Sequence, residues 1–301
     1  MLRNLYKNKA FLLLSLPMML VVFVFNYIPM VGVIVAFKKF RYNLGIFGSE
    51  WNGLNNFKFF FRNPDALKVI TKTVSYNAVF IILGIVIPVG VALLLYEIKN
   101  RKLLKIYQTT MFIPYFLSWV VVAYMAYAFL NPASGMLNNL RVLMGQEKIS
   151  WYTKPIYWIF ILPIANTWKG LGFGALVYYA SLMSIDPEYF EAATIDGANK
   201  LQVIWNITIP FLYPLMTILT ILAIGGIFSS DFGLFFQLPM DSKLLYKTTD
   251  VIDTYIYRAM AVNSNIDTAS AAGLIKSVVG FVLVITTNAI VNKINSDYAL
   301  Y

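Results

Sequence analysis

Apolar residues in this chain fall in long runs separated by polar gaps. The runs match the roughly 20 mainly apolar residues a helix needs to cross a hydrocarbon layer about 30 Å thick. The first run, Ala10–Phe37, carries no charge over 28 residues. The second is Thr73–Tyr96, where Pro88 and Gly90 predict a kink. The third is Tyr107–Leu130, the fourth Ile156–Leu182 with Lys169 inside it, the fifth Phe211–Phe228, and the sixth Ala271–Ile294 with Lys276 near its start. The pattern predicts an all-α polytopic membrane protein of six transmembrane helices. There is no internal repeat and no low-complexity segment.

Between the fourth and fifth runs stands a polar block, Glu191-Ala-Ala-Thr-Ile-Asp-Gly-Ala-Asn-Lys200, running on to Ile207-Thr-Ile-Pro210. Asp186-Pro187-Glu188 reads as a helix start: Asp caps free N–H groups, Pro suits the first turn, and Glu188 and Glu191 favour the positive end of the helix dipole. Gly197 permits a left-handed stop. A second short helix is expected from Ala198 to Trp205, with Pro210 opening the next span. Ala192 and Ala193 are small enough to let another protein approach the backbone.

Composition supports a membrane chain. Of 301 residues, 59% are hydrophobic and 13% charged, and mean hydropathy is +0.68. The net charge of +10 suits anionic lipid, and the basic residues form no nucleic-acid patch. The sequence has no Cys and no His. That removes disulfides, thiol nucleophiles, most zinc sites and His-based acid–base chemistry. Arg3, Lys7 and Lys9 precede the first run as in a signal peptide, but its length and the lack of a small-residue cleavage site predict a retained span. Charge counting leaves orientation open. Lys99, Arg101, Lys102 and Lys105 support an inside N-terminus, yet Lys38, Lys39, Arg41, Lys58, Arg62, Lys68 and Lys72 crowd the first loop.

The spacing E-A-A, three residues, G, nine residues, I-x-[L/I]-P resembles the signature loop of binding-protein-dependent ABC importer permeases. Here it is Glu191-Ala192-Ala193, Gly197, Ile207 and Pro210, with Ile209 where Leu is commoner. Tyr27-Ile-Pro-Met-Val-Gly-Val-Ile-Val-Ala-Phe37, Gly53-Leu-Asn-Asn-Phe57, Phe112-Ile-Pro114, Asn166-Thr-Trp168 and Tyr255-Ile-Tyr257 look like carbohydrate-type permeases of the complex-saccharide subgroup. The resemblance implies a type I importer fold in one permease domain over 1–301, with a cytoplasmic ATPase-coupling loop at 184–210. It implies a cell-membrane location with both termini cytoplasmic. It also implies two ATPase subunits that hold ATP and Mg, a second permease chain and an extracellular solute-binding protein. The chain has no G-x-x-x-x-G-K-[ST] pattern to hold a nucleotide itself. In the loop, Glu191 would anchor in the ATPase cleft, Ala192 and Ala193 pack closely, Gly197 would set the angle between the helices, and Asp196 belongs to the same ATPase-coupling set.

Polar groups within spans are costly unless satisfied or facing water, so they mark a candidate path for a sugar. Three clusters qualify: Tyr115, Ser118, Trp119 and Tyr124; Asn166, Trp168, Lys169 and Gly170; and Phe228, Ser229, Ser230, Asp231 and Phe232. Tyr115 and Trp119, four apart, are expected to share a helix face. These stretches resemble the sugar-lining parts of maltose-type permeases, which also places Ile227 and Ser230 in the path. Each has a plainer reading. Trp168 and Tyr124 suit interface anchors, Ser118 a backbone hydrogen bond, and Asp231 the start of a loop. Lys169 is expected to pair with Asp231 or a partner subunit and to line the path, whereas Lys276 is expected to snorkel. Asp250 and Asp253 mimic a catalytic pair but read as solvated loop carboxylates. Two other classes compete with an oligosaccharide importer that is not itself an enzyme. A secondary transporter would need a repeat and coupling carboxylates within the spans. A membrane enzyme acting on lipid-linked sugars would need a catalytic acidic pair.

Overall fold

The computed structural model describes residues 9–300. Among them, five helices are long and apolar enough to cross a membrane, and six if one bent pair counts as a single span. The described chain divides into two compact units, one of Met1–Ala66 with Ile256–Ile275 and one of Leu67–Tyr255 with Lys276–Tyr301. Arg3 and Lys7 lie outside the described residues.

In the first unit, α1 (Lys9–Val22) continues through a π turn (Phe23–Tyr27) and a 3-10 stretch (Ile28–Phe37) as one span. Nothing on it is buried before Val35. The polar stretch that follows is ordered. Strands β1 (Lys38–Lys39) and β2 (Glu50–Trp51) pair antiparallel around the short α2 (Gly45–Gly48), and α3 (Asn55–Arg62) packs on the end of the first span. Asn56, 5% exposed, donates to the carbonyls of Ala36 and Lys38 at 2.9 and 2.8 Å and accepts from Asn52 at 2.8 Å. Phe37 stacks on Trp51 and meets Phe57. The Gly53-Leu-Asn-Asn-Phe57 stretch is thus a structural clamp.

Helix α4 (Pro64–Tyr96) has 33 residues, so the second span starts nine residues before the expected Thr73. Asp65 in its first turn and Pro64 at its start suit a helix N-terminus in what was expected to be loop. The third span is broken. Helix α5 (Arg101–Phe116) and α6 (Trp119–Leu130) meet at 102°, with Leu117 and Ser118 extended between them. Pro114 in the last turn of α5 removes a backbone donor, and the Ser118 hydroxyl accepts from Val121 N at 3.4 Å to start α6. Ser118 is therefore the backbone-bonding serine of the plainer reading.

After α7 (Met136–Leu143), α8 (Trp158–Leu182) forms the fourth span together with the 3-10 turn before it. Helix α9 (Pro187–Ile195) and α10 (Lys200–Val203) form the polar hairpin. Helix α10 does not stop before Pro210. It passes through a π turn (Ile204–Thr208) into α11 (Ile209–Gly225), giving one 26-residue span. Pro210 sits where a missing N–H is harmless, and the i→i+5 turn absorbs it. Short helices α12 (Phe232–Gln237) and α13 (Tyr246–Thr249) lead to α14 (Ile252–Ala261) and the last span, α15 (Ile266–Ile294).

The second unit has two cores, both served by α4 and α8. One gathers Tyr76, Val122, Trp158, Leu162, Leu234 and Phe235. The other gathers Val89, Ala92, Tyr178, Leu182, Ile185 and Leu212, with Phe190 packed against it. The loop after α6 turns on Asn138, which is fully buried. Its amide donates to the carbonyls of Asn131, Pro132 and Ile149, and its oxygen accepts from Ile149 N at 2.9 Å and Trp151 Nε1 at 3.3 Å. Nearby, burial pushes the Tyr152 hydroxyl well above its usual range, and Tyr127 adds to the shift. Asn138→Leu strands several buried polar groups and is expected to cost about 3 kcal/mol or more, at about 1–3 kcal/mol for each unsatisfied group. The check is a lowered thermal unfolding midpoint of the purified protein in detergent.

Candidate functional site

The hairpin follows from its local sequence. Asp186 accepts from Glu188 N at 3.0 Å, and Pro187 opens α9. At its end, Gly197 adopts φ +77, which any other L-residue takes only with strain. Ala198 N donates to Ala193 O and Gly197 N to Thr194 O, the paired bonds of a Schellman stop. Asn199 and Gln202 then form a reciprocal capping box that starts α10. Lys200 pairs with Glu97 at 2.6 Å beyond the end of α4, an exposed contact of small energetic weight. Beneath the hairpin a cavity of about 340 Å³ is lined by Tyr96, Phe190, Thr194 and Val203 among others.

The hairpin's outer face carries Glu191, Ala192 and Asp196, all exposed, with Ile195 85% and Leu201 67% exposed. Ala193 is only 8% exposed and faces the chain's own interior. The small-residue surface open to another protein is therefore Ala192. Phe190 supplies the link inward, meeting Tyr96 at 5.9 Å and joining the core of Leu182 and Leu212.

The three polar clusters within the spans converge in part. Lys169 on α8 is half-buried and donates to Tyr115 O at 2.9 Å. That carbonyl is one of the orphans at the end of α5, where a cation is also favoured by the dipole. The same ammonium lies 5.5 Å from the Tyr115 ring centroid and 5.4 Å from that of Trp119. The Trp119 indole N–H in turn donates to Asp231 at 2.6 Å. Asp231 caps α12 by accepting from Leu234 N, and Gly233 leaves room for the indole: a Cβ there would stand 2.2 Å from Trp119 Cδ1. Tyr115 also stacks on Phe173 at 4.9 Å.

Two expectations change here. Tyr115 and Trp119 do not share a helix face, because the chain turns 102° between them; they meet through Lys169. Lys169 and Asp231 form no ion pair among the described residues; the indole of Trp119 stands as the link between them. Tyr124, 68% exposed, and Trp168, 41% exposed, stay outside the cluster. Trp168 lines an apolar cavity with Met125 and Phe129. Asn166 is half-buried, and Gly170, next to Lys169, faces open space.

The third cluster lies where the fifth span unwinds. Asn77 on α4 donates to the carbonyls of Ile227 and Ser229 at 2.8 and 3.1 Å. Ser230 N donates to Asp253 at 2.6 Å, while the buried Ser230 hydroxyl has no partner among the described residues. Phe228 is half-buried in the same segment, and Phe232 opens α12. Asp253 also pairs with Lys276, the side chains being 18% and 22% exposed. This overturns two expectations. Lys276 does not snorkel, and Asp253 is not a solvated loop carboxylate; each neutralises the other beside the break. Asp250 accepts from the Thr254 hydroxyl at 2.9 Å, so the two aspartates are held apart in separate roles. Asn77 was missed in the sequence, although a lone amide in an apolar run is a readable signal.

The chain is a helical membrane protein with a polar hairpin packed on its core, and its likeness to known proteins makes it a transport component. The chain belongs to the family of binding-protein-dependent transport system inner membrane components, whose model matches residues 81–296. It is 31% identical to Protein LplB of Bacillus subtilis (strain 168), over 97% of this chain and 91% of that protein. It is equally 31% identical to the polygalacturonan/rhamnogalacturonan transport system permease protein YteP of that organism, over 98% and 91%. It also superposes on the crystal structure of a bacterial ABC transporter involved in the import of the acidic polysaccharide alginate. The TM-score is 0.88 at 30% identity, covering 97% of this chain and 98% of that one.

Removing one partner of the Asp253–Lys276 pair leaves a buried charge alone. Lys276→Met is expected to cost about 3–5 kcal/mol, and Lys276→Met with Asp253→Asn clearly less, since Asn still accepts from Ser230 N. Unfolding midpoints of the two variants in detergent give the comparison; equal losses would contradict the pairing.

Proposed function

We propose that this chain is a permease subunit of an ATP-driven importer for oligosaccharides or complex glycans, working as one permease domain. The observation that carries the reading is the 187–203 hairpin. Its outer face is exposed and mixes Glu191 and Asp196 with Ala192, Ile195 and Leu201, while Phe190 on its inner face packs into the core shared by α4, α8 and α11. A push on that face reaches the spans through packed side chains. The solved alginate importer, crystallised also with its pentasaccharide-bound periplasmic protein, and the polygalacturonan permease support a glycan as cargo. By the same likeness the partners are a second permease chain, two ATPase subunits that bind ATP and Mg, and an extracellular solute-binding protein. Both termini and the hairpin then lie on the cytoplasmic side.

In this mechanism Glu191 and Asp196 meet the ATPase and Ala192 lets it approach. Gly197 fixes the angle between the two helices. ATP-driven closure of the ATPase pair moves the hairpin as a body, and the spans alternate between inward-open and outward-open arrangements. Tyr115, Trp119, Lys169 and Asp231 line the sugar path with Ile227–Ser230. Their mix of flat rings and hydrogen-bonding groups matches the C–H faces and hydroxyls of a saccharide.

Glu191→Lys and Gly197→Val are expected to lower glycan-stimulated ATPase and uptake at least about tenfold, or about 1.4 kcal/mol, with normal expression. Proteoliposomes of the assembled complex provide the assay; unchanged coupling in both variants would rule the hairpin out. Uptake without any ATPase subunit would favour a secondary transporter instead. Trp119→Phe keeps a ring beside Lys169 but removes the N–H to Asp231. It is expected to shift the preference among saccharides more than the maximal rate, as read from uptake KM values.

A further inference from the structure

A cavity of about 450 Å³ opens within the first unit, beyond the end of the first span. One face of α3 forms its wall, where Asn55, Lys58, Phe59 and Arg62 stand at i, i+3, i+4 and i+7. Lys39 of β1 lines it from a second side, and Asn265 and Asp267, around the start of α15, from a third. Its frame is fixed by the buried Asn56, which holds the carbonyls of Ala36 and Lys38. Lys39, Lys58 and Arg62 are exposed, and among the described residues their side chains have no hydrogen-bonded or ion-paired partner. Glu50, opposite Lys39 in the two-stranded ladder, lies 3.9 Å from Arg41 and does not line the cavity. Three cations therefore face one carboxylate, Asp267.

We infer that this cavity binds an acidic saccharide, a short oligomer carrying uronate carboxylates. The inference rests on the import reading, which puts this end of the first span on the exterior side, where cargo arrives. Sugar carboxylates answer the cations, and the Arg62 fork can hold one through two hydrogen bonds. Sugar hydroxyls answer the acceptors. Asp267 spends one oxygen on Thr268 N at 2.8 Å and keeps the other. Asn55 gives an N–H to Asn52 at 3.2 Å and keeps its carbonyl oxygen. A fully ionised phosphate has no O–H for either group, so the mixture of cations and acceptors favours an acidic sugar over a phosphate. Phe59, 60% exposed, offers a flat ring to the C–H face of a sugar. From Asn55 to Arg62 the helix rises about 10 Å, enough to lie along more than one sugar ring.

Calorimetric titration of the assembled complex in detergent tests this, with neither nucleotide nor binding protein added. The probes are trigalacturonate, which is acidic, and maltotriose, which is neutral. The wild type is expected to bind trigalacturonate in preference. Lys39→Gln, Lys58→Gln and Arg62→Gln together are expected to weaken that binding at least about tenfold, since an exposed ion pair contributes up to about fivefold. Phe59→Ala keeps the cations and is expected to weaken it as well. As a measure independent of variants, a photoreactive trigalacturonate is expected to crosslink to residues 52–62 of the wild type, with free trigalacturonate competing and maltotriose not. Unchanged affinity in the triple variant, or crosslinks confined to the spans of the second unit, would overturn the site. So would a triple variant that loses docking of the binding protein but not trigalacturonate, which would give the cavity to an acidic protein face. Failure of the import reading shows separately, as absent ATP-dependent uptake of either glycan with this binding intact.

Discussion

Backbone that leaves a helix inside a bilayer frees carbonyls and amides that no water can satisfy, at several kcal/mol each. Among the described residues the second unit holds one broken span, at 116–119, and one segment that unwinds past the end of a span, at 225–232, and side chains close both. At 116–119, Lys169 takes the Tyr115 carbonyl and Ser118 caps α6. At 225–232, Asn77 takes two carbonyls, Asp253 takes the Ser230 amide and Asp231 caps α12. Trp119 then joins one break to the other through Asp231. Asn77, Lys169, Asp231 and Asp253 thus serve the places where regular structure stops, and those places coincide with the candidate sugar path.

The same economy explains the two lysines within spans. Lys169 is stabilised by a helix C-terminus and two ring faces, and Lys276 by a carboxylate. The first arrangement leaves donors free for a visiting hydroxyl or acid. The second is closed on itself and holds α14, α15 and the unwound segment in register. One lysine is suited to bind, the other to brace.

Run length made the spans legible, because crossing a bilayer needs a number of apolar residues that periodicity does not alter. The hairpin was legible too, since Asp186, Pro187, Gly197, Asn199 and Gln202 act on backbone within a few residues of themselves. The breaks were not. Pro114 and Ser118 are weak signals alone, and the groups that make a break affordable lie far away: Asn77 is 150 residues from Ile227. Tyr115 and Trp119 meet at Lys169 and not on a shared helix face, because the spacing argument takes the helix as unbroken between them and the chain turns there. Asp253 and Lys276 were misread for the same reason: partnership across 23 residues and a helix junction leaves no local mark. The early start of α4 had a local mark in Pro64-Asp65, overshadowed by the charges of the stretch around it.

The π turn at Ile204–Thr208 has a mechanical meaning. Because α10 runs through it into α11 without a joint, residues 200–225 form one rod about 39 Å long, with Thr208 and Leu212 buried along it. That rod joins the hairpin at one end to the segment held by Asn77 and Asp253 at the other. On the proposed coupling role, a displacement of the hairpin would be carried along it to those hydrogen bonds.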